Sequence, residues 1–155
     1  MDIRPWTGVD MAQFGDSRTV LRSRIGGELS TFRRTPGDPP IDHYVDVGLL
    51  LSFDAYDRLC FMEITKPSEP LFAGVVLLGQ SFGDIVSALR RNGVEVEIDD
   101  SGCTLVGHGI ALYTPAPDEP DVEVEGVAVF SVSDEGPKES VDIGKEPELP
   151  GDTLF

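Results

Sequence analysis

Histidine, cysteine and tryptophan are scarce in this chain of 155 residues, at two, two and one. With only His43 and His108, a multi-histidine metal site cannot be assembled. Neither C-x-x-C nor H-x-x-x-H spacing links these residues to Cys60 or Cys103. No metal and no cofactor is therefore expected. Two cysteines are too few for a secreted disulfide scaffold, and each sits among apolar or small neighbours in a strand-like run. Buried, reduced thiols are the expectation. Neither cysteine opens a helix, where a thiolate would be favoured, so no nucleophile is indicated and no catalytic residue is assigned.

Basic residues are the next shortage: 12 Lys and Arg against 28 Asp and Glu, a formal charge of -16. Binding to nucleic acid or to an anionic membrane surface needs a basic footprint, which this composition lacks. Long hydrophobic runs are missing too. None approaches the ~20 residues of a membrane span, and the opening MDIRPWTGVDM has neither a basic stretch nor an apolar core of a signal peptide. A cytoplasmic protein is expected.

The charge is unevenly spread. Residues 1–94 carry 10 basic and 12 acidic side chains, a net of -2, whereas residues 95–155 carry 2 basic and 16 acidic, a net of -14. Asymmetry of this size between halves points to an interaction surface in the second. A hydrophobic content of 40% is that of an ordinary folded protein, and 17 glycines with 12 prolines favour many turns and short elements.

Two helices are legible. One is predicted over about 16–25, capped by Asp16 or Ser17, with Val20, Leu21 and Ile25 as its apolar stripe, Gly26-Gly27 as its stop, and Arg18 and Arg22 on its exposed face. The second is predicted over about 82–92, capped by Ser81 with Asp84 three residues on. Phe82, Ile85, Val86 and Leu89 form its apolar face, and Gly93 stops it. Strand patterns follow each helix. Leu49 to Phe53 and Arg58 to Ile64 make a hairpin about the turn Asp54-Ala55-Tyr56-Asp57. Further strands are expected at about 94–98, 102–106, 109–114 and 122–132, while Gly107-His108-Gly109 is a turn without the following helix that a phosphate cradle requires.

The two halves match in pattern. Gly8 precedes Phe14-Gly15-Asp16-Ser17, a Val-Leu-x-x-x-Ile helix and Gly26; Gly74 precedes Gly79-Gln80-Ser81-Phe82, an Ile-Val-x-x-Leu helix and Gly93, a period of about 66 residues. The fold class expected is α+β, in two tandem units, each one short helix packed on an antiparallel sheet of three to four strands. The first unit would span 1–72, the second 73–132, and 133–155 would be an acidic Pro/Gly-rich tail.

The segments Gly8 to Gly26 and Gly74 to Gly93 resemble the opening of small bacterial α+β repeats of the β-lactamase-inhibitor-protein and outer-membrane-assembly-lipoprotein type. The resemblance, with the strands, covers about 8–132 and implies units that bind proteins through their sheet faces, with no catalytic residues to carry over. The chain departs from both groups in lacking a lipidation cysteine and secretory disulfides. It is also similar to bacterial cytosolic proteins found among toxin-immunity genes.

The function expected is a non-enzymatic protein-interaction module, in its sharpest form an immunity-type inhibitor of a basic protein, whose association an acidic surface would speed. The candidate partner-binding residues are Glu95, Glu97, Asp99, Asp100, Asp118, Glu119, Asp121, Glu123 and Glu125. Glu95 with Glu97, and Glu123 with Glu125, are two apart and so share a strand face; no D-x-D-x-D-G calcium loop accompanies them. Two other classes stay open. One is a small-molecule-binding protein or enzyme with a pocket between the repeats. The other is a self-associating structural protein, a homo-oligomer in which Arg18, Arg22, Arg33 and Arg34 meet the acidic half of another copy. Trp6, Phe32, Tyr44, Tyr56, Phe72 and Tyr113 would be interface anchors if they line one sheet face.

Overall fold

In the computed structural model, residues 1–132 are described; the expected acidic tail, 133–155, lies outside them. The elements run β1 (Ile3–Arg4), β2 (Gly8–Val9), β3 (Ala12–Gln13), α1 (Arg18–Ile25), β4 (Leu29–Phe32), β5 (Ile41–Tyr44), β6 (Leu49–Phe53) and β7 (Leu59–Ile64). They continue as β8 (Leu71–Phe72), β9 (Val75–Val76), α2 (Phe82–Arg91), β10 (Val96–Asp99), β11 (Gly102–Leu105), β12 (Ile110–Tyr113) and β13 (Gly126–Phe130). Both helices start where the capping residues require. The hydroxyls of Ser17 and Ser81 accept from the amides of Val20 and Asp84, satisfying donors that the first turn leaves over.

The expectation of two tandem helix-plus-sheet units is overturned. The described chain is mostly β, with 13 strands in sheets of three, eight and two, and two short helices. The large sheet is continuous and antiparallel, in the order β10-β11-β12-β13-β7-β6-β5-β4. The junction is β13 against β7, with Val127 opposite Ile64, Ala128 opposite Glu63, Val129 opposite Met62 and Phe130 opposite Phe61. The physical reason lies in those two strands. In separate sheets each would be an edge, yet apart from Glu63 both are apolar on their two faces, and an apolar edge invites pairing. Pairing them with each other hides both, and Val127, Ala128 and Val129 are fully buried. The opening residues form the three-stranded sheet β1-β2-β3, and the segment after β7 forms the hairpin β8-β9.

Residues opposed across a ladder share a face, which assigns the two faces of the large sheet. One carries Leu49, Leu51, Met62, Ile64, Ile110, Leu112, Val127 and Val129, all buried in a core cluster that also takes in Leu21 of α1, Phe82, Ile85, Val86 and Leu89 of α2, and Ile3, Val9 and Ala12 of the small sheet. The N-terminal segment crosses to the second half: the Trp6 indole N–H donates to the Gly107 carbonyl at 3.1 Å. Its ring lies where a Cβ on Gly109 would be, 2.7 Å away. The Gly107-His108-Gly109 turn is thus a seat for Trp6.

Of the two arginines expected on an exposed face of α1, Arg18 is buried, and Arg22, though exposed, turns its guanidinium to the same buried carboxylate. Arg18, Leu21, Arg22 and Ile25 fall at i, i+3, i+4 and i+7, one side of a helix, and that side meets the core face of β5. There Asp42 is fully buried, and Arg18 is 7% exposed. One Asp42 oxygen accepts from Arg18 Nη1 and Arg22 Nη2, each at 2.8 Å, and from the Thr31 hydroxyl at 3.3 Å; the other accepts from Arg22 Nε at 2.8 Å. Arg18 also donates to Asp57 and to the Pro40 carbonyl and stacks 4.1 Å over the Phe53 ring. Val20, expected in the apolar stripe, is exposed. The helix is held by a charge cluster as much as by Leu21.

Candidate functional site

The second face of the large sheet has no described element lying over it. Register partners trace a row straight across it: Ser30, His43, Leu50, Glu63, Ala128, Ala111, Thr104 and Glu97. Beside it runs a second row, Phe32, Ile41, Ser52, Phe61 and Phe130, and on the other side Tyr113 lies opposite Gly126 and Gly102. Phe61 and Phe130 are tilted rings with centroids 5.3 Å apart. Most of these side chains are half-buried against one another while Ala128 is fully buried. The floor is aromatic and small-residue rather than polar.

The face is not flat. Arg34 follows β4, and its Nη2 donates to Glu63 Oε2 on β7 at 2.6 Å. β5 and β6 lie between those strands, a distance of about 14 Å at the usual strand spacing. The contact therefore requires the segment after β4 to fold over the face. The result is a hollow of about 410 Å³ lined by Arg34, Phe61, Glu63, Ser101 and Tyr113. Burial, the Glu63 carboxylate and the Asp99 carboxylate push the Tyr113 phenol up to about 12, with Arg34 pulling the other way. At neutral pH it is a neutral hydroxyl facing a negative field.

The nine acidic candidates divide between two places. Glu97 and Asp99 alternate along β10, the edge strand, and by register stand on the uncovered face, with Glu95 just before the strand, where its carbonyl accepts from the Val106 amide. Asp99 also shapes the following turn, accepting from the amides of Ser101 and Gly102 at 2.8 and 3.0 Å, and Asp100 is exposed in that turn. Among the described residues no basic side chain pairs with these four. The other five are elsewhere. Asp118, Glu119 and Asp121 are exposed in the segment between β12 and β13, which closes over the start of α2. There the amides of Phe82 and Gly83 donate to the carbonyls of Val122 and Pro120. Glu123 pairs with Lys66 at 2.8 Å, and the Glu125 amide donates to the Tyr113 carbonyl. The hydrogen bond from Lys66 to Glu123 raises the Lys66 pKa.

Of the aromatic candidates, Phe32 and Tyr113 share the uncovered face. Tyr44 is buried on the core face, Phe72 packs on His108 with centroids 5.0 Å apart, and Tyr56 is exposed at the β6–β7 turn. Phe61 and Phe130 were not among the candidates; their signal was alternation with Met62 and Val129. Cys103 is buried, and burial pushes its thiol up to about 12, so it is no nucleophile at neutral pH. Cys60 is half-buried, with its thiol toward the Ser52 carbonyl. Among the described residues no three His, Cys, Asp or Glu side chains are grouped to hold a metal ion, and no helix is long and apolar enough to cross a membrane. Set against protein-family models, curated proteins and solved structures, the chain matches none of them.

Proposed function

We propose that this chain is a non-enzymatic protein-interaction module that binds a basic protein, in the manner of an immunity-type inhibitor, through the uncovered face of its large sheet. The observation that carries the reading is the coincidence on one face of an aromatic floor and an unpaired acidic margin. Phe61, Phe130 and Tyr113 supply rigid apolar area of the kind that dominates binding hot spots. Glu95, Glu97, Asp99 and Asp100 supply the field that steers a cationic partner toward it. Glu63, already bound by Arg34, marks a position that accepts a guanidinium. The acids of the β12–β13 segment are set apart from this face and belong to the closure of α2.

A small-molecule reading draws on the hollow lined by Arg34, Phe61, Glu63, Ser101 and Tyr113. That hollow is lined from both halves of the chain, on the side of the sheet away from both helices, and neither histidine lines it.

The test uses the full chain on a biosensor against an arginine-rich peptide carrying tryptophan. Binding should weaken by about tenfold or more between low and physiological salt, as exposed charges are screened over about 8–10 Å. Glu95→Gln/Glu97→Gln/Asp99→Asn should lose a similar factor, mostly in the association rate; Asp99→Asn keeps an oxygen for the turn. Phe61→Ala should raise the dissociation rate instead. Equal binding by the triple variant, with loss in Asp118→Asn/Glu119→Gln/Asp121→Asn, would move the site to the β12–β13 segment.

A further inference from the structure

The large sheet has two edges, and they are built differently. At β10, Glu97 and Asp99 stand along the edge, with Glu95 just before it and Asp100 just after, the usual protection against strand addition. At β4 the strand is Leu-Ser-Thr-Phe: it has no charge, no proline and no break in its register with β5, and all four residues are exposed. Leu29 and Phe32 are 36% and 37% exposed, and Val45, opposite Glu28, adds a further exposed apolar side chain at 37%. The Val45 amide donates to the Glu28 carbonyl at 3.1 Å. Hydrogen-bonded pairs alternate along an antiparallel ladder, so Ser30 and Phe32 also bond inward, and the amides and carbonyls of Leu29 and Thr31 point out of the sheet.

We propose that β4 is a self-association edge, where two copies of this chain pair antiparallel through Leu29 to Phe32 about a two-fold axis and join their large sheets into one. A two-fold axis normal to the sheet keeps the core faces on the same side, which restricts the register to pairs of like face. Centred on Thr31, the pairing sets Thr31 against its mate and Leu29 against Arg33. Arg34 stays on Glu63 of its own chain, so the junction is made by the strands themselves, in which the outward groups of Leu29 and Thr31 find partners. Among the described residues the strand order keeps most of the negative charge away from this edge. The nearly neutral first half holds β4, and the nine acids of residues 95–132 lie at the far end of the sheet or over α2. β10 is up to about 34 Å from the junction at the usual strand spacing. The dimer therefore carries two acidic edges pointing away from each other.

The experiment is sedimentation or light scattering of the full chain over a wide dilution series, with hydrogen exchange read at residue resolution. The parent should show twice the 16.8 kDa chain mass, with the Leu29 and Thr31 amides protected although no acceptor among the described residues faces them. Leu29→Pro removes an outward donor without touching the β5 ladder, and Leu29→Lys puts a charge on the edge. Either should halve the mass while circular dichroism stays that of the folded parent, and Leu29→Lys should lose the protection at Thr31. A monomer at every concentration, a dimer that survives both variants, or species growing beyond the dimer would each overturn the proposal; the last is the sign of head-to-tail pairing of β4 with β10. The Glu95→Gln/Glu97→Gln/Asp99→Asn variant should remain dimeric, which separates this edge from the basic-partner face.

Discussion

Asp42→Ala is expected to lower the unfolding free energy by about 3–5 kcal/mol, because it strands buried positive charge rather than merely removing a contact. Asp42 is fully buried and accepts four hydrogen bonds, three of them from Arg18 and Arg22. Arg18 is itself buried, pinned between Phe53, Asp57 and the Pro40 carbonyl. Without the carboxylate its guanidinium keeps Asp57, which is more than half exposed, and loses its buried partner. A domain of this size has roughly 5–15 kcal/mol in total, so the loss brings the fold near its limit. Arg22→Met should cost less, since the Arg22 side chain is 42% exposed and Arg18 stays on Asp42. Urea unfolding followed by circular dichroism distinguishes the two. If Asp42→Ala costs no more than Arg22→Met, the cluster is not what fastens α1.

The same carboxylate gives the stability a pH dependence. Burial alone would raise the Asp42 pKa, but the Arg22 hydrogen bond, the charges of Arg18 and Arg22 and the Thr31 hydroxyl outweigh it and hold the group below its ordinary 3.8. A carboxylate depressed in the folded state stabilises fully above its unfolded value and loses that contribution as pH falls through the folded one. The parent should therefore weaken below about pH 4 by an amount that Asp42→Asn does not share, and the two stability curves should converge toward acid.

That cluster also shows what the sequence could tell and what it could not. Ser17 and Ser81, Gly26 and Gly93, the β6–β7 hairpin and the buried face of α2 were legible, because caps, stops and periodicity are local. Arg18 and Arg22 were placed outward because charge usually is, although their spacing with Leu21 and Ile25 puts all four on one side. Only Asp42, some twenty residues on, makes that side tolerable, and its place opposite α1 is a tertiary fact. The tandem-unit reading failed in the same way. Nothing local in Leu59–Ile64 or Gly126–Phe130 says which strand each will pair with; what decides it is that both, apart from Glu63, are apolar on two faces. Likewise the acids were visible as charge, but their division between the β10 edge and the α2 closure depends on where β12 and β13 carry the segment that joins them.

Gly102→Ala is the second substitution with a large expected effect, on the order of 2–4 kcal/mol, since it joins backbone strain to a clash that no side chain can relieve. Gly102 opens β11 at φ +147°, and a Cβ there would lie 2.0 Å from the Leu112 carbonyl oxygen and 3.2 Å from the Tyr113 Cα. These are ladder atoms, so β11 and β12 must separate for the methyl to fit. The same movement displaces Tyr113, the wall of the hollow, and Ser101 beside it. The control is Gly107→Ala. It has φ +80° but nothing within 4 Å of a new Cβ, so it meets conformational strain alone and should cost about 1 kcal/mol. Thermal unfolding of both variants separates the terms, and Tyr113 fluorescence in a Trp6→Phe/Tyr44→Phe/Tyr56→Phe background reports the hollow. Equal losses in the two glycine variants would mean that the β11–β12 ladder gives way easily. In that case the rigidity of the aromatic floor, on which the proposed recognition of a basic partner rests, would have to come from β7 and β13 alone.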